Sequence, residues 1–477
     1  MKILLVSPSG SDLYAKVGTQ LPPLGLLYIA AFARNGGHYV EVIDLSVDKN
    51  ALSRIHLKRF DVVGISADTP RYPAALKIAK KVKEAGIPVI MGGYHVTFLD
   101  KDALDTGLVD YIVRGEGEEI FLKLINALDN RSELKVIDGI SYLDNGRIVR
   151  NKSASLPDIL DDFPYPARNL LPIEKYKGKI VGVPLANMIT SRGCPYDCNF
   201  CSSTKFSGMK WRFRSVESIA DEMEVLYHKY GYRAFAFMDD NFTLRKNRVM
   251  EFADEVEKRG LRNIIWYCFS RVDILARNED MVKRMAEVGA FQIFLGLESV
   301  NHNALKDYGK RIEFEQQMKA IRLIRKYKMR VHGSFIIGNI NETEKQALET
   351  IEWAKNINPE VTQFSVLTPY PGTALYNQVE REKRFLHKKW ELYDALHPTI
   401  TLDHLRPEDV TRLLIKAYQS VYLQPKRFYK KKKTRPVKIK RSKLFGLSSM
   451  VRPVSFFLTF KKEMNRTAAL YQFNSER

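Results

Sequence analysis

Three of the four cysteines in this chain lie close together. Cys194, Cys198 and Cys201 are spaced C-x3-C-x2-C in the stretch SRGCPYDCNFC, residues 191–201. Three thiolates on one loop can ligate three irons of a cubane [4Fe–4S] cluster, and the fourth iron is then open to a small molecule. The spacing therefore predicts a cluster on these three residues.

A single zinc ion is the alternative reading of the same cysteines. Zinc sites usually combine one C-x2-C pair with a second pair or with histidines, and the chain has no second pair. The remaining cysteine, Cys268, lies in the predicted strand Ile264–Phe269 and is expected to be a buried core thiol. So few cysteines, grouped in this way, exclude a disulfide scaffold and favour a reducing compartment.

Strands and helices alternate in the first part of the chain, which predicts an α/β domain over residues 1–135. Buried strands separated by helices form a parallel sheet covered on both faces, here flavodoxin-like (Rossmann-like). The predicted strands are Ile3–Val6, Val40–Asp44, Val62–Ser66, Pro88–Met91 and Tyr111–Val113, and the helices are Leu24–Asn35, Tyr72–Ala85 and Glu118–Leu128. Residues 136–179 are assigned to a hairpin with its turn at Asp144–Gly146 and to a proline-rich linker.

A second alternation over residues 180–400 predicts a partial βα (TIM-like) barrel with its chemistry at the carboxyl ends of the strands. The predicted strands are Met188–Ser191, Ala234–Asp239, Ile264–Phe269, Ala290–Leu297, Arg330–Ile337 and Gln363–Leu367. The helices between them are Val216–Lys229, Arg248–Arg259, Glu279–Val288, Phe314–Tyr327 and Glu342–Asn356. Residues 401–477 are predicted to form a helical and strongly basic C-terminal region.

The cysteine loop and five stretches that follow it resemble the radical S-adenosylmethionine (radical SAM) superfamily from Ile180 to about Leu375. The stretches are Asp239–Thr243, Ser270–Asp273, Gly296–Ser299, Phe335–Thr343 and Thr368–Thr373, each at a predicted strand end. The resemblance implies that S-adenosylmethionine chelates the open iron. One electron from the cluster then cleaves its carbon–sulfur bond to give methionine and a 5′-deoxyadenosyl radical.

The resemblance also implies a binding site for S-adenosylmethionine. Phe200 would lie near the adenine, and Ile337 and Gly338 would bracket it. The remaining candidates are Asp239, Asp240 and Asn241 for the methionyl amine, and Glu298 and Arg271 for the ribose hydroxyls and the methionyl carboxylate. Relatives often carry Gly-Leu-Pro-Gly-Glu-Thr after the fifth strand, whereas this chain has GNINET at residues 338–343.

The N-terminal domain resembles the cobalamin-binding subclass, with candidate ligand residues Pro23, Gly25, Ser66, Gly92, Gly93, Gly115 and Glu116. The segment Ser7–Leu21 contains no histidine, so cobalamin would be bound base-off without a histidine below cobalt. His95 is expected near the nucleotide tail. A flavin domain, a receiver domain and a domain that has lost cobalamin are the alternatives. No cysteine precedes Cys194, which excludes the second cluster of the methylthiotransferases.

The formal net charge of +21 indicates an anionic partner. Between Lys426 and Lys443, 11 of 18 residues are Lys or Arg, and the more apolar stretch Leu444–Phe460 follows. This composition predicts peripheral contact of residues 426–460 with an anionic membrane surface. Nucleic acid and a solubilising tail are the alternatives. Because neither a signal peptide nor a membrane span is apparent, we expect a cytoplasmic protein at the inner face of the cell membrane.

These features predict a cobalamin-dependent radical SAM enzyme that methylates an unactivated carbon of a lipid or isoprenoid substrate. In the chemistry that the resemblance implies, the deoxyadenosyl radical abstracts a hydrogen, and the substrate radical collects a methyl group from cobalamin. The predicted electron donor is a flavodoxin or a ferredoxin. Alternatives are a ring-forming or C–C bond-forming enzyme acting on a lipid or tetrapyrrole, an RNA-modifying radical SAM enzyme, and a non-catalytic cobalamin or light-sensing module.

Overall fold

A computed structural model of the protein describes residues 1–10, 20–424, 460–462 and 464. The first sheet has the strand order β2-β1-β3-β4-β5-β6-β7, and its first five strands run parallel. These are β1 (Lys2–Ser7), β2 (Tyr39–Asp44), β3 (Val62–Ser66), β4 (Val89–Gly92) and β5 (Tyr111–Val113). The predicted flavodoxin-like sheet is therefore confirmed.

Helices cover both faces of this sheet because successive side chains of each buried strand point to opposite sides. Ile3 and Leu5 pack under one layer of helices, and Leu4 and Val6 under the other. The first layer consists of α1 (Leu24–Asn35) and α5 (Gly117–Asn130), and the second contains α2 (Tyr72–Glu84), α3 (Tyr94–Phe98) and α4 (Asp100–Leu104).

The predicted hairpin is present, but it belongs to the first sheet. Strands β6 (Ile140–Asp144) and β7 (Arg147–Arg150) extend that sheet antiparallel beyond β5, so the sheet continues past residue 135. Asn145 and Gly146 have φ values of 49° and 77°, as a tight two-residue hairpin turn requires. The connector from Asn151 to Gly178 then leads to the second sheet.

The second sheet is an open half-barrel with the strand order β16-β15-β14-β13-β12-β9-β8. Six of its strands are parallel, and β8 (Lys179–Ile180) is antiparallel to β9. The parallel strands are β9 (Val183–Met188), β12 (Ala234–Phe237), β13 (Ile265–Ser270), β14 (Ala290–Glu298), β15 (Arg330–Ile337) and β16 (Val361–Val366). The predicted partial barrel is thus confirmed.

The first barrel strand differs from the predicted Met188–Ser191. It ends at Met188, and Ser191–Arg192 instead form a short strand, β10, that pairs antiparallel with β11 (Arg212–Phe213). The chain leaves the half-barrel at this point because the Asp239 carboxylate accepts hydrogen bonds from the backbone N–H and the hydroxyl of Thr190.

Ten further helices lie in the barrel half of the described chain. They are α6 (Ser202–Phe206), α7 (Val216–Glu224), α8 (Lys246–Lys258), α9 (Val272–Arg277), α10 (Glu279–Glu287), α11 (His302–Asp307), α12 (Phe314–Lys326), α13 (Glu344–Ile357), α14 (Ala374–Arg381) and α15 (Pro407–Tyr422). A π-turn over Val225–Lys229 continues α7. The predicted start of α13 at Glu342 is two residues early, since Thr343 caps the helix through its hydroxyl. The main core lies between the helices and the outer face of the sheet.

The free edge of β16 is covered by α15. The Tyr418 hydroxyl hydrogen-bonds the backbone N–H and C=O of Phe364, and Tyr422 does the same at Thr362. Phe460 is buried against Tyr418, with 4.5 Å between the ring centroids. The basic run 426–443 and nearly all of the proposed membrane segment 426–460 lie outside the described residues. Within the described ranges, no helix combines the length and the apolar character needed to cross a bilayer.

Candidate functional site

The cysteine loop lies between β10 and α6, at the carboxyl end of the half-barrel. Cys198 is buried, and Cys194 and Cys201 are partly exposed. The Asp240 carboxylate accepts the N–H of Gly193 at 3.1 Å, and Asn199 donates its N–H to the carbonyl of Tyr308 at 3.1 Å. Position 193 requires glycine because its φ is +81° and a Cβ atom would overlap the carbonyl of Lys210. The loop is therefore held at both ends.

The surroundings of the thiols disfavour free thiolates. Burial raises the pKa of Cys194 to about 11 and that of Cys198 above its usual value, while the positive charges of Lys310 and Arg271 act to lower the Cys198 pKa. A metal bound to these thiols would stabilise their deprotonated form. Among the described residues, no three His, Cys, Asp or Glu side chains are grouped as ligands of one metal ion.

Glu298 and Arg271 are both close enough to affect the charge state of Cys198. Glu298 ends β14 in a left-handed conformation, with φ +57°, and its carboxylate pairs with Lys310. Gly296 leaves the space that this pair occupies, since a Cβ there would collide with both side chains. Arg271 bonds Asp273 at 3.0 Å and lies 3.5 Å from the ring centre of Tyr196. Both predicted residues therefore border the cysteine loop.

The three predicted residues after β12 have different surroundings. Asp240 faces the Cys194 side of the loop, and enclosure by the protein raises its pKa. Asp239 accepts three hydrogen bonds from Thr190 and Ser191, so its carboxylate holds the chain that leads into the loop. Asn241 is completely buried, and its Nδ2 has no hydrogen-bond partner among the described residues.

The predicted adenine residues are divided between two surfaces. Phe200 packs edge-on against Tyr308, with 5.5 Å between the centroids, in an apolar cluster that includes Ile336. The Ile337 side chain lies in the core on the helix side of the sheet, so the inward-facing residue is Ile336. Gly338 has φ +88° and donates its N–H to Glu342 at 2.6 Å.

A cavity of about 310 Å³ lies between the two halves of the protein. Six of the seven predicted cobalamin residues line it, namely Gly25, Ser66, Gly92, Gly93, Gly115 and Glu116. The seventh, Pro23, is not in its wall and accepts the N–H of Leu27 at the start of α1. The opposite wall is formed by the cysteine loop and residues next to it, including Arg192, Gly193 and Asp240.

The lining of this cavity is compatible with a large ligand such as cobalamin. Its inner end runs over the first sheet between Leu5, Ile90 and Phe121, an apolar place for the base of a nucleotide tail. A Cβ on Gly25 would meet nothing within 4 Å, so glycine leaves open space there. His95 is not in the wall, since it stacks on Tyr72 at 4.0 Å, and burial lowers its pKa to about 3.

Several residues of the site were not predicted from the sequence. Arg192 bonds Glu116 at 3.0 Å and Glu118 at 2.6 Å, and Arg212 also pairs with Glu116. Burial raises the pKa of Glu116, but its hydrogen bonds and ion pairs with Arg212 and Arg192 hold the net value below normal. Lys310, the partner of Glu298, was not predicted either. The sequence signal that could have identified Arg192 was a charged residue next to the glycine of the cysteine loop.

A glycine-lined cavity of a flavodoxin-like domain, opening onto a three-cysteine loop of a half-barrel, defines the cobalamin-dependent radical SAM enzymes. The family models agree: residues 188–354 match the radical SAM superfamily and residues 10–125 match the B12 binding domain.

Similar proteins include an uncharacterized methyltransferase of Pyrococcus horikoshii, 39% identical over 89% of this chain and 93% of that protein. The hopanoid C-3 methylase of Methylococcus capsulatus is 30% identical over 88% of this chain and 80% of that protein. The structure of the radical S-adenosylmethionine methyltransferase TsrM from Kitasatospora setae, with cobalamin and a [4Fe–4S] cluster bound, aligns with a TM-score of 0.69 at 19% identity, covering 80% of this chain and 78% of that one.

The chain therefore belongs to the radical SAM superfamily and carries its B12-binding domain. It is an enzyme whose cofactors are a [4Fe–4S] cluster, S-adenosylmethionine and cobalamin. When bound, these groups supply a 5′-deoxyadenosyl radical and a transferable methyl group.

Proposed function

We propose that the protein methylates an unactivated carbon of a lipid or isoprenoid substrate. The observation that carries this proposal is the cavity shared by the two halves of the chain. One wall contains six of the seven predicted cobalamin residues, and the other wall includes Gly193, which directly precedes the first cysteine of the loop. A methyl donor in this cavity and a radical generated at the loop would act on one substrate between them.

The chain's own residues hold this junction in place. Arg192 and Arg212 both pair with Glu116, so charged hydrogen bonds connect the cavity wall with the strands on either side of the cysteine loop. On the other side, the rings of Tyr94 and Phe206 stack with 4.2 Å between their centroids. These contacts hold the loop in position at the place where a radical would form.

Two observations support a lipid rather than another substrate. A relative that is 30% identical over most of its length is a hopanoid methylase, which acts on a lipid class. The basic run 426–443, followed by an apolar stretch, has the composition of a segment that contacts an anionic membrane. We further propose that a flavodoxin or ferredoxin supplies the electron, and that the enzyme works at the inner face of the cell membrane.

The experiment is an anaerobic reaction of the reconstituted enzyme with reductant, methyl-labelled S-adenosylmethionine and cell extract. We expect 5′-deoxyadenosine together with label in an organic-soluble product. The matched variant is Gly25→Leu, which places a side chain in the open space of the cavity without a clash at its Cβ. This variant should lose cobalamin and methyl transfer, retain its cluster, and unfold at the same temperature as the wild type.

Other outcomes separate the alternatives. Deoxyadenosine and a rearranged product without label would indicate ring or carbon–carbon bond formation. A relative that is 29% identical over 86% of this chain is the anaerobic magnesium-protoporphyrin IX monomethyl ester cyclase of Rubrivivax gelatinosus. Absence of deoxyadenosine from the wild-type enzyme would contradict the proposal.

A further inference from the structure

The inner face of the half-barrel carries a group of aromatic and neutral polar side chains. Along β13, Trp266 and Cys268 point outward into the core, whereas Tyr267 and Phe269 point inward and remain partly exposed. The neighbouring strands show the same alternation. The inward side chains of this group, here called the inner-face cluster, are Tyr267, Phe269, Gln292, Phe294, His332, Ser334, Gln363 and Ser365.

The inner-face cluster is continuous from strand to strand. Phe269 and Phe294 lie 4.8 Å apart between ring centroids, and Phe294 meets His332 at the same distance. The Tyr267 hydroxyl lies 3.4 Å from Nδ1 of His332, and Gln363 hydrogen-bonds the same histidine. Five of these side chains are aromatic, amide or imidazole groups with accessible surface inside a curved sheet. The partly exposed surfaces of these side chains are therefore available for contact with a ligand.

This face has no charged side chain over its central part. Within β13 to β16, all of which the structure describes, the inward-facing ionic residues stand at the two ends. Arg330 lies at the amino end over the ring of Phe291, and Glu298 pairs with Lys310 at the carboxyl end. Burial lowers the pKa of His332 to about 3, so its imidazole is neutral at physiological pH.

Below the cluster the barrel is closed. Ile180, Val183, Ala234, Ile265 and Phe291 pack together into a small apolar core at the amino end of the strands. Active sites of such barrels open at the carboxyl end of the strands, where the cysteine loop lies, so we expect a ligand to enter from that side. Its leading group would meet His332 and Tyr267, and a carbon further along its skeleton would lie nearer to the loop.

We infer that the inner-face cluster selects an uncharged, mainly apolar substrate that carries one hydroxyl or carbonyl group, bound by Tyr267, His332 and Gln363. This inference rests on the proposed function and narrows its substrate class. Phe269 and Phe294 supply apolar contact, and the three polar side chains supply neutral donors and acceptors. A carboxylate or phosphate beside Phe269 and Phe294 would lose its hydration, because the inward-facing cation of β13 to β16, Arg330, lies at the amino end over the ring of Phe291. Tetrapyrrole acids and nucleotides are disfavoured for that reason.

The test uses the reconstituted holoenzyme and two probes with the same carbon skeleton, farnesol and farnesyl diphosphate, whose binding is followed by calorimetry. We expect farnesol to bind at least tenfold more tightly than the diphosphate. His332→Ala and Tyr267→Phe should weaken farnesol binding roughly five- to tenfold, the effect of losing one or two hydrogen bonds. Gln363→Arg should reverse the preference toward the diphosphate. His228→Ala and Tyr39→Phe, at exposed positions, are the matched controls.

Equal or tighter binding of farnesyl diphosphate by the wild-type enzyme would overturn the inference, as would unchanged preference in the three variants. Each variant is first checked for cluster absorbance and for its unfolding temperature, so that misfolding is recognised. The proposed function has a separate readout. If labelled methyl enters a charged product, methylation stands and the substrate class is wrong. If no label is transferred while farnesol is still preferred, the substrate class stands and the proposed methylation is wrong.

Discussion

Arg192 connects the two halves of the protein, and its replacement by methionine should weaken that connection. Its guanidinium pairs with Glu116 and Glu118, and these three side chains are 13%, 6% and 6% exposed. Its charge also lies over the ring of Phe163, 5.0 Å from the centroid. Methionine keeps much of the length of the side chain and removes only the charge and the hydrogen bonds.

The expected loss follows from the burial of the partners. Removing one member of a buried ion pair costs about 3–5 kcal/mol because the other charge stays desolvated. Glu116 keeps its pair with Arg212, whereas Glu118 loses the cation that it bonds at 2.6 Å. We therefore expect about 3 kcal/mol for Arg192→Met, toward the lower end of that range.

The assay is urea unfolding of the apoprotein, compared with two further variants. Adding Glu118→Gln to Arg192→Met removes the unpaired charge and should restore about 2 kcal/mol of the loss. Arg54→Met breaks a pair in which Arg54 is 58% exposed and Asp48 keeps Lys175 as a partner, and it should cost clearly less than Arg192→Met. The reasoning fails if Arg192→Met costs no more than Arg54→Met, or if the double variant is no more stable than the single one.

Three further results are expected. Cys198→Ala should abolish the visible absorbance of the cluster and deoxyadenosine formation, while Cys268→Ala, at a buried core position, should keep both. Burial raises the pKa of Glu342 from 4.5 to about 7. The folded state thus holds an extra proton between these values, and the free energy of unfolding should fall by up to about 1.4 kcal/mol per pH unit from pH 4.5 to 7, a slope that Glu342→Gln should remove in denaturant titrations. Lys310→Met leaves the Glu298 carboxylate without its cation and should weaken S-adenosylmethionine binding at least tenfold by equilibrium dialysis, whereas Lys310→Arg should retain most of it.

Much of the fold could be predicted because buried strands and amphipathic helices follow local periodicity. The parallel strands and the half-barrel were predicted in this way, and so was the cysteine loop, whose three cysteines lie within eight residues. The end of the first barrel strand was not predictable, because it depends on Asp239, which contacts Thr190 from 49 residues away. The pairing of Arg192 with Glu116 spans 76 residues, and no local pattern encodes it.

The candidate site shows the same division between local and distant information. Gly25, Gly92 and Gly115 were recognised because glycine at the end of a strand or the start of a helix leaves space for a ligand, and the structure places all three on one cavity. The roles of Asp239 and Ile337 depended on side-chain direction instead. The Asp239 carboxylate turns toward the backbone that leads into the cysteine loop, and the Ile337 side chain turns toward the core.

The position of Asp240 indicates how the two halves act as one site. Its carboxylate accepts the N–H of Gly193, next to the first cluster cysteine, and it also lines the cavity of the B12-binding domain. Glu116 has the equivalent position on the other side, in the cavity wall and bonded to Arg192, which ends β10 just before the cysteine loop. Because the same side chains border the cysteine loop and line the cavity, we expect these contacts to set the distance between radical and methyl donor. The inner-face cluster lies further toward the amino ends of the strands, so we expect the fit of the substrate to this cluster to decide which of its carbons reaches the junction.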